Sequence, residues 1–424
     1  MLLNFYRLPL LVTLIFTNDF LILKTIFLSF LLTLFIGFTS CQDADVLEKA
    51  IPTETAQDLF VSAEKLTTLQ AAGLQQLAIS SGQPELATLV KFDVDIYRLV
   101  YLTTYNGQEV RASGLMVVPL SLTAPAPILS AHHGTTFDQK YAPSNFQISS
   151  LTGFEAFGAA GYLTLVPDFL GYGESSQLVH PYYDVEHSGQ VVVDMIKAGK
   201  SFFQKNNIRH SDQLFLAGYS EGGYVTLAAQ KMIEENPAHG LTVTASGAGA
   251  GGYDLEGMMA LIVSGQAYEH PANLAFILQA YNQTYGWNRP LTDFFQEPYA
   301  TRIQELIDGT RTSSSINSAL ATDPAKLFNP TFLANLRGGG EQALKQALKK
   351  NSLKNFVPQS FTRLYHGTAD TMVPFENSQA TYQAMAAADA ETKVTFVPIQ
   401  GGTHFTSLEP MIKNLIPWIE GLKK

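Results

Sequence analysis

Gly218-Tyr219-Ser220-Glu221-Gly222 joins an apolar, strand-like run over residues 213–217 to a helix-like run over residues 224–235. Few stretches of five residues limit a fold so strongly. A chain that passes from strand to helix within one sharp turn crosses over itself, and side chains at the crossing would collide. Glycines two residues either side of the serine remove those Cβ atoms. The backbone at Ser220 is then strained, its hydroxyl projects outward, and the helix start behind it offers free N–H groups and a positive dipole end. A flexible loop serine is the plain alternative. The strand before, the helix after and the additional Gly223 favour a nucleophile at Ser220.

The rest of the chain repeats this alternation. Residues 93–105 and 109–119 read as an opening antiparallel pair. Short, continuously apolar runs follow at 128–131, 162–166, 214–217, 241–245, 361–365 and 394–397. Helix-like segments lie among them at 149–160, 185–203 and 411–422. Continuous apolar runs mark strands buried on both faces, and helices between them imply βαβ units. The fold class is α/β, with a mostly parallel twisted sheet flanked by helices and a core over 91–252 and 359–424. Between those halves, residues 253–358 lack a convincing strand but contain helix-like stretches (273–281, 300–306, 341–349) and many aromatics, among them Phe276, Tyr281, Tyr285, Trp287, Phe294 and Phe328. An insertion of this kind reads as a helical cap or lid over a site; a helical subdomain with no role there is the alternative. Residues 42–90, polar and rich in Ala and Gln, read as a tether with one or two short helices.

The first 40 residues carry only Arg7, Asp19 and Lys24 as charges, and the stretch 25–38 after Lys24 is mostly apolar. Fourteen residues suit the central region of an export signal and are too few to span a bilayer. The sole cysteine, Cys41, follows Thr39-Ser40 at the end of that run. Residues 1–41 thus resemble a bacterial lipoprotein signal, which implies a lipidated Cys41, an exported protein and a membrane partner through that anchor. Phe38 and the long apolar lead-in depart from the pattern, and an ordinary membrane anchor with Cys41 as a bystander is the alternative. With one cysteine the chain forms no internal disulfide. A net charge of -10 and the lack of any basic run disfavour a nucleic-acid partner.

A serine nucleophile needs a base, and the base needs an orienting acid. Of nine histidines, His404 stands just past the last strand-like run, among glycines in Gly401-Gly402-Thr403-His404. His366, His132 and His133 are rivals that directly end strands. For the acid, Asp370 follows the run 361–365 at the carboxyl edge of its strand, where open α/β sheets place catalytic groups. Asp168 and Asp254 are the rivals. The tetrahedral intermediate requires two N–H donors. One would come from Glu221, the other from the loop His132-His133-Gly134-Thr135-Thr136, with Thr135 chosen and Thr136 as the alternative. The paired histidines lack the acid or cysteine company of a metal site, so neither metal nor cofactor is expected.

His133-Gly134, Gly218-Tyr219-Ser220-Glu221-Gly222, His366-Gly367-Thr368-Ala369-Asp370 and Gly402-Thr403-His404, in this order, resemble the α/β-hydrolase superfamily over roughly 93–424. More narrowly, Ala112-Ser113-Gly114-Leu115, Pro167-Asp168-Phe169-Leu170-Gly171-Tyr172-Gly173 and Gly251-Gly252-Tyr253-Asp254-Leu255 are similar to secretory lipases and related bacterial esterases. That resemblance implies hydrolysis of carboxylic esters through an acyl-enzyme, with a small-molecule or lipid ester as substrate. A serine peptidase or aminopeptidase would use the same three side chains but needs a group to hold a substrate amine, and none is evident. A non-catalytic surface binding protein on the same scaffold would have no use for the full set.

Overall fold

The computed structural model describes residues 57–82, 84–147, 153, 156–388 and 393–424. The expected signal segment 1–41 with Cys41 lies outside the described residues, as does most of 149–155. Of the helix expected over 149–160, the described part is Ala156–Ala159.

The described residues contain nine strands: β1 Phe60–Leu69, β2 Val94–Tyr105, β3 Gln108–Pro119, β4 Ala126–His132, β5 Leu163–Pro167, β6 His210–Tyr219, β7 Ala245–Gly249, β8 Phe361–Gly367 and β9 Val394–Ile399. They form one sheet in the order β1-β2-β3-β5-β4-β6-β7-β8-β9. The pairs from β5 through β9 are parallel, and the earlier ones antiparallel. This is the expected α/β-hydrolase arrangement. β2 and β3 meet at the two-residue turn Asn106-Gly107, both with positive φ, which matches the twist of a tight hairpin. β4, β5 and β7 are buried along their whole length, which explains their unbroken apolar or small-residue composition.

Two expectations need correction. Residues 42–90 do contain a helix, α1 (Ala71–Ser80), but Phe60–Leu69 is a strand, paired antiparallel with β2 from Phe60↔Tyr101 to Leu69↔Val94. As the edge of the sheet it is half exposed and carries Glu64 and Lys65, so it lacks the apolar run of an inner strand. The run at 241–245 is displaced: the strand is Ala245–Gly249. Its glycines sit against close neighbours: a Cβ on Gly247 would strike Leu415 and one on Gly249 would strike Met411 and Tyr219.

Helices α2 (Val185–Lys205) and α3 (Glu221–Glu235) pack against one face of the central strands, with Val191, Val192, Met195, Ile196, Val225 and Ala229 in that core. Asp184 caps α2 through a bond from the His187 N–H. On the other face, α10 (Leu408–Leu422) buries Met411, Leu415 and Ile419. Between β7 and β8 come α4 (Leu255–Val263), α5 (Pro271–Thr284), α6 (Tyr299–Leu306), α7 (Pro330–Arg337) and α8 (Gln342–Asn351), with the short helices Ser313–Ala319 and Pro324–Leu327 in the connection from α6 to α7; α9 (Phe375–Ala388) joins β8 to β9. The helices α4–α8 share one apolar cluster with Tyr224 and Leu227 of α3 and Ala248 of β7, so they are packed onto the carboxyl-end side of that core.

Candidate active site

The sheet reverses its build direction between β4 and β6: β5 lies on one side of β4, and β7 to β9 follow β6 on the other. Loops leaving the carboxyl ends of these two strands diverge, and the gap between them is where ligands sit in open α/β sheets. His132 pairs with Gly218 at that edge, so the loops after β4 and β6 start side by side.

Ser220 occupies the turn between β6 and α3 at φ 59°, ψ −124°. Such a backbone in a residue with a Cβ costs on the order of 1–3 kcal/mol. The surroundings enforce it. The Ser220 N–H donates to the Gly249 carbonyl at 2.8 Å, and the Gly223 N–H donates to the Ser220 carbonyl at 2.9 Å. A Cβ on Gly218 would overlap the Gly222 carbonyl, and one on Gly222 would overlap the His132 carbonyl. Both glycines of the motif are therefore required by backbone crossing close to backbone.

His404 and Asp370 arrive from the far side of the sheet. The loops after β8 and β9 interlock where Gly367 faces Gly402, because a Cβ on Gly367 would strike the Gly402 carbonyl and Ser407. The Ala369 N–H donates to the Gly402 carbonyl at 2.9 Å and the Thr368 N–H to the Ile399 carbonyl at 3.0 Å. This contact sets His404 Nδ1 2.7 Å from Asp370 Oδ2, and His404 Nε2 2.8 Å from Ser220 Oγ. With Nδ1–H donating to the carboxylate, Nε2 presents its lone pair to the serine hydroxyl. All three sequence-chosen side chains are thus brought together.

Asp370 is held by more than His404. Its Oδ1 accepts the N–H groups of Met372 and Val373 at 2.9 and 3.0 Å. Fully buried His366 lies 3.2 Å from Oδ2 through Nε2, which also donates to the Val373 carbonyl at 2.8 Å, while Ser378 Oγ meets its Nδ1 at 2.6 Å. Burial pushes the Asp370 carboxyl upward, but the hydrogen bonds from His366 and His404 prevail and hold it well below the usual carboxylate range. His366, a rival for the base, instead braces the acid.

The other rivals have different partners. Buried His132 bridges Thr226 Oγ1 at 2.7 Å and Ser130 Oγ at 3.0 Å, and burial followed by the charge of His133 lowers its pKa to about 3. His133 stacks on Phe169 with ring centroids 4.2 Å apart. Asp168 accepts from Ser113 Oγ at 2.6 Å and the Ser144 N–H at 2.7 Å. Asp254 pairs with Lys354 at 2.8 Å. Among the described residues no cluster of three or more His, Cys, Asp or Glu could hold a metal.

Glu221 begins α3 directly after Ser220, where its backbone N–H belongs to the unpaired first turn. Gly134 brings the other loop close: a Cβ on it would lie 3.6 Å from the Ser220 Cβ. Thr135 next to it bonds Tyr182 Oη at 3.0 Å through Oγ1. Sequence reasoning missed His180, which meets the buried carboxylate of Glu221 at 2.6 Å. A lone histidine in a loop 41 positions before its partner carries no local signal.

Ser220 opens onto a pocket beneath the helices inserted between β7 and β8. Its walls come from Tyr182 and Tyr183, from Leu255, Met258 and Met259 of α4, from Leu274, Ile277 and Leu278 of α5, and from Phe332, Leu336, Leu344 and Leu348 of α7 and α8. Apart from Ser220, Asn273 and the tyrosine hydroxyls, the lining is apolar. It is a site for hydrocarbon beside a hydroxyl.

A family model described as secretory lipase matches residues 145–421. No curated protein sequence matches the chain. Among solved structures, a candidate hydrolase from Legionella pneumophila aligns at 26% identity and a TM-score of 0.80, covering 86% of this chain and 98% of its own. The rice cell wall degrading esterase LipA from Xanthomonas oryzae, in a ligand-bound form, aligns at 22% identity and TM-score 0.77, covering 87% and 100%. Candida antarctica lipase A in its closed state shares the fold at 13% identity and TM-score 0.62, covering 87% and 84%.

Proposed function

The chain belongs to the secretory lipase family and is a carboxylic ester hydrolase, and we propose that it works as a serine esterase through an acyl-enzyme, with Ser220 as nucleophile, His404 as base and Asp370 as orienting acid. The carrying observation is the unbroken run of contacts from Asp370 through His404 to Ser220, at 2.7 and 2.8 Å, at the mouth of an apolar pocket.

The acyl chain lies in the pocket and its carbonyl carbon meets Ser220 Oγ. His404 Nε2 takes the hydroxyl proton as the C–O bond forms. Asp370 stabilises the resulting imidazolium and keeps Nδ1 protonated. The backbone N–H groups of Glu221 and Thr135 receive the oxyanion; losing one such donor typically costs ~10²–10³ in turnover. The imidazolium then protonates the leaving alcohol. Water, deprotonated by the same imidazole, releases the acid and restores Ser220.

Helices α4–α8 act as the cap that chooses the substrate, because most of the pocket wall is theirs. Their apolar lining favours acyl esters. Among the described residues the lining contains no carboxylate to hold a substrate amine, which favours an esterase over a peptidase. Membership of a secretory family agrees with export, and we add that Cys41 carries the lipid that fixes the protein to a membrane. Ser220→Ala should abolish hydrolysis of p-nitrophenyl esters and labelling by a fluorophosphonate with the melting temperature kept; retained turnover would refute the assignment.

A further inference from the structure

We propose that His180 is a positioning residue for oxyanion stabilisation: with Glu221 it forms a buried pair of zero net charge, holding one shared proton next to the oxyanion donors. The proposal rests on the esterase reading above and names a device within that same site.

The protonation follows from the partners on the two ring nitrogens. His180 Nδ1 lies 2.7 Å from the Leu170 carbonyl oxygen, which can only accept, so Nδ1 carries a hydrogen. His180 Nε2 lies 2.6 Å from Glu221 Oε1. Two lone pairs do not approach that closely in a dry site, so this contact also contains a proton. Whether that proton sits nearer nitrogen or oxygen, the pair as a whole is neutral. Its partners are 7% and 3% exposed at the side chain, and Glu221 has no lysine or arginine partner among the described residues.

Location gives the pair its consequence. The Glu221 side chain grows from the residue whose N–H serves the oxyanion. An unpaired carboxylate there would oppose the negative charge that develops on the substrate oxygen, in surroundings with little water to screen it. The proton supplied by His180 cancels that charge. The same ring also stands behind the second donor loop. It packs on Tyr182 and Tyr172 with centroids 5.9 and 5.0 Å apart. Tyr182 Oη bonds Thr135 Oγ1, and Tyr172 Oη donates to the Thr136 carbonyl. Besides Tyr172 and Tyr182, Tyr183 is the further titratable group facing Glu221, and it receives the Gly252 N–H. Tyrosine hydroxyls are neutral, so none of them replaces the charge of His180. Gly171 lets the segment that carries His180 pack close, since a Cβ on it would lie 2.7 Å from the His180 backbone.

His180→Phe keeps the aromatic packing and removes the proton. It should lower kcat for p-nitrophenyl butyrate by about 10²-fold with KM changed little, the signature of lost oxyanion stabilisation. Glu221→Gln in the His180→Phe background removes the stranded charge and should restore kcat by about tenfold or more, a recovery that simple loss of packing would not give. Should His180→Phe fail to fold by circular dichroism, His180→Gln with and without Glu221→Gln poses the same comparison. Full activity in His180→Phe, or a double variant no better than the single one, overturns the proposal. Ser220→Ala run alongside separates the two levels: if it stays active, the nucleophile reading fails, and if it is dead while His180→Phe is fully active, only the role of His180 fails.

Discussion

Tyr219 Oη donates to the backbone carbonyl of His404 at 2.6 Å, tying the residue before the nucleophile to the residue that supplies the base. The bond spans 185 positions of chain. The Tyr219 ring also packs 5.3 Å from the imidazole. The bond thus ties the loop of Ser220 to the loop of His404, although the two leave different strands. Tyr219→Phe keeps the ring and deletes the tie. A neutral hydrogen bond contributes about 0.5–1.5 kcal/mol, so kcat should fall roughly threefold to tenfold while KM holds. Steady-state kinetics on a soluble ester checks this, and an unchanged kcat would show that the His404 loop positions itself.

Asp370→Asn is expected to be far more damaging to catalysis. The amide can donate to Nδ1, which turns the imidazole to the tautomer with Nε2 protonated and unable to accept from Ser220. A comparable change in a serine protease lowers kcat by about 10⁴. Stability should respond to acid in a defined sense. The Asp370 carboxyl is depressed in the folded chain, so its contribution is complete above the ordinary carboxylate value, about 3.9, and is lost as pH falls from there through the folded value. Urea melts from pH 6 down to pH 3 should show the parent losing stability toward the acid end more steeply than Asp370→Asn, so that the gap between them narrows. Parallel curves would remove the linkage.

Most of the parallel sheet was legible because its strands are buried on both faces and must be apolar without interruption. Ser220, Asp370 and His404 were legible for a related reason: each ends or follows a strand at one rim, and glycines mark the turns. What escaped had no such pattern. β1 is an edge strand, and with Glu64 and Lys65 at its middle it reads as a polar linker. β7 is built of alanine, serine and glycine, with Leu415, Met411 and Tyr219 close against its two glycines, so a search for bulky apolar residues settles on 241–245 instead. His366 and His180 were visible as residues, yet their partners, Asp370 and Glu221, are fixed only by tertiary contact.

The proposed lipid anchor at Cys41 is tested apart from the enzyme chemistry. Cys41 lies outside the described residues, and it is not among the side chains proposed for catalysis. Expressed with its own leader in a bacterial host, the parent should label with a fatty-acid analogue and sediment with membranes. Cys41→Ser should lose the label and keep its specific activity. Equal labelling of both proteins would eliminate Cys41 as the attachment point.

Acyl-chain preference should follow the pocket wall. Ile277 of α5 is half-buried and lines the cavity that begins at Ser220. Because it is not fully enclosed, a larger side chain there can turn inward without the strain of overpacking a tight core. Ile277→Trp fills space that distal methylenes of a long acyl chain would occupy, but leaves the carbonyl end free. Each excluded methylene forfeits about 0.8 kcal/mol of transfer free energy, so blocking three or four lowers kcat/KM by roughly 10²-fold. Long-chain p-nitrophenyl esters should therefore lose that much, while the butyrate stays within about threefold of the parent. If short and long esters fall together, the tryptophan has disturbed the Ser220 end, and if neither changes, the acyl chain does not follow α5.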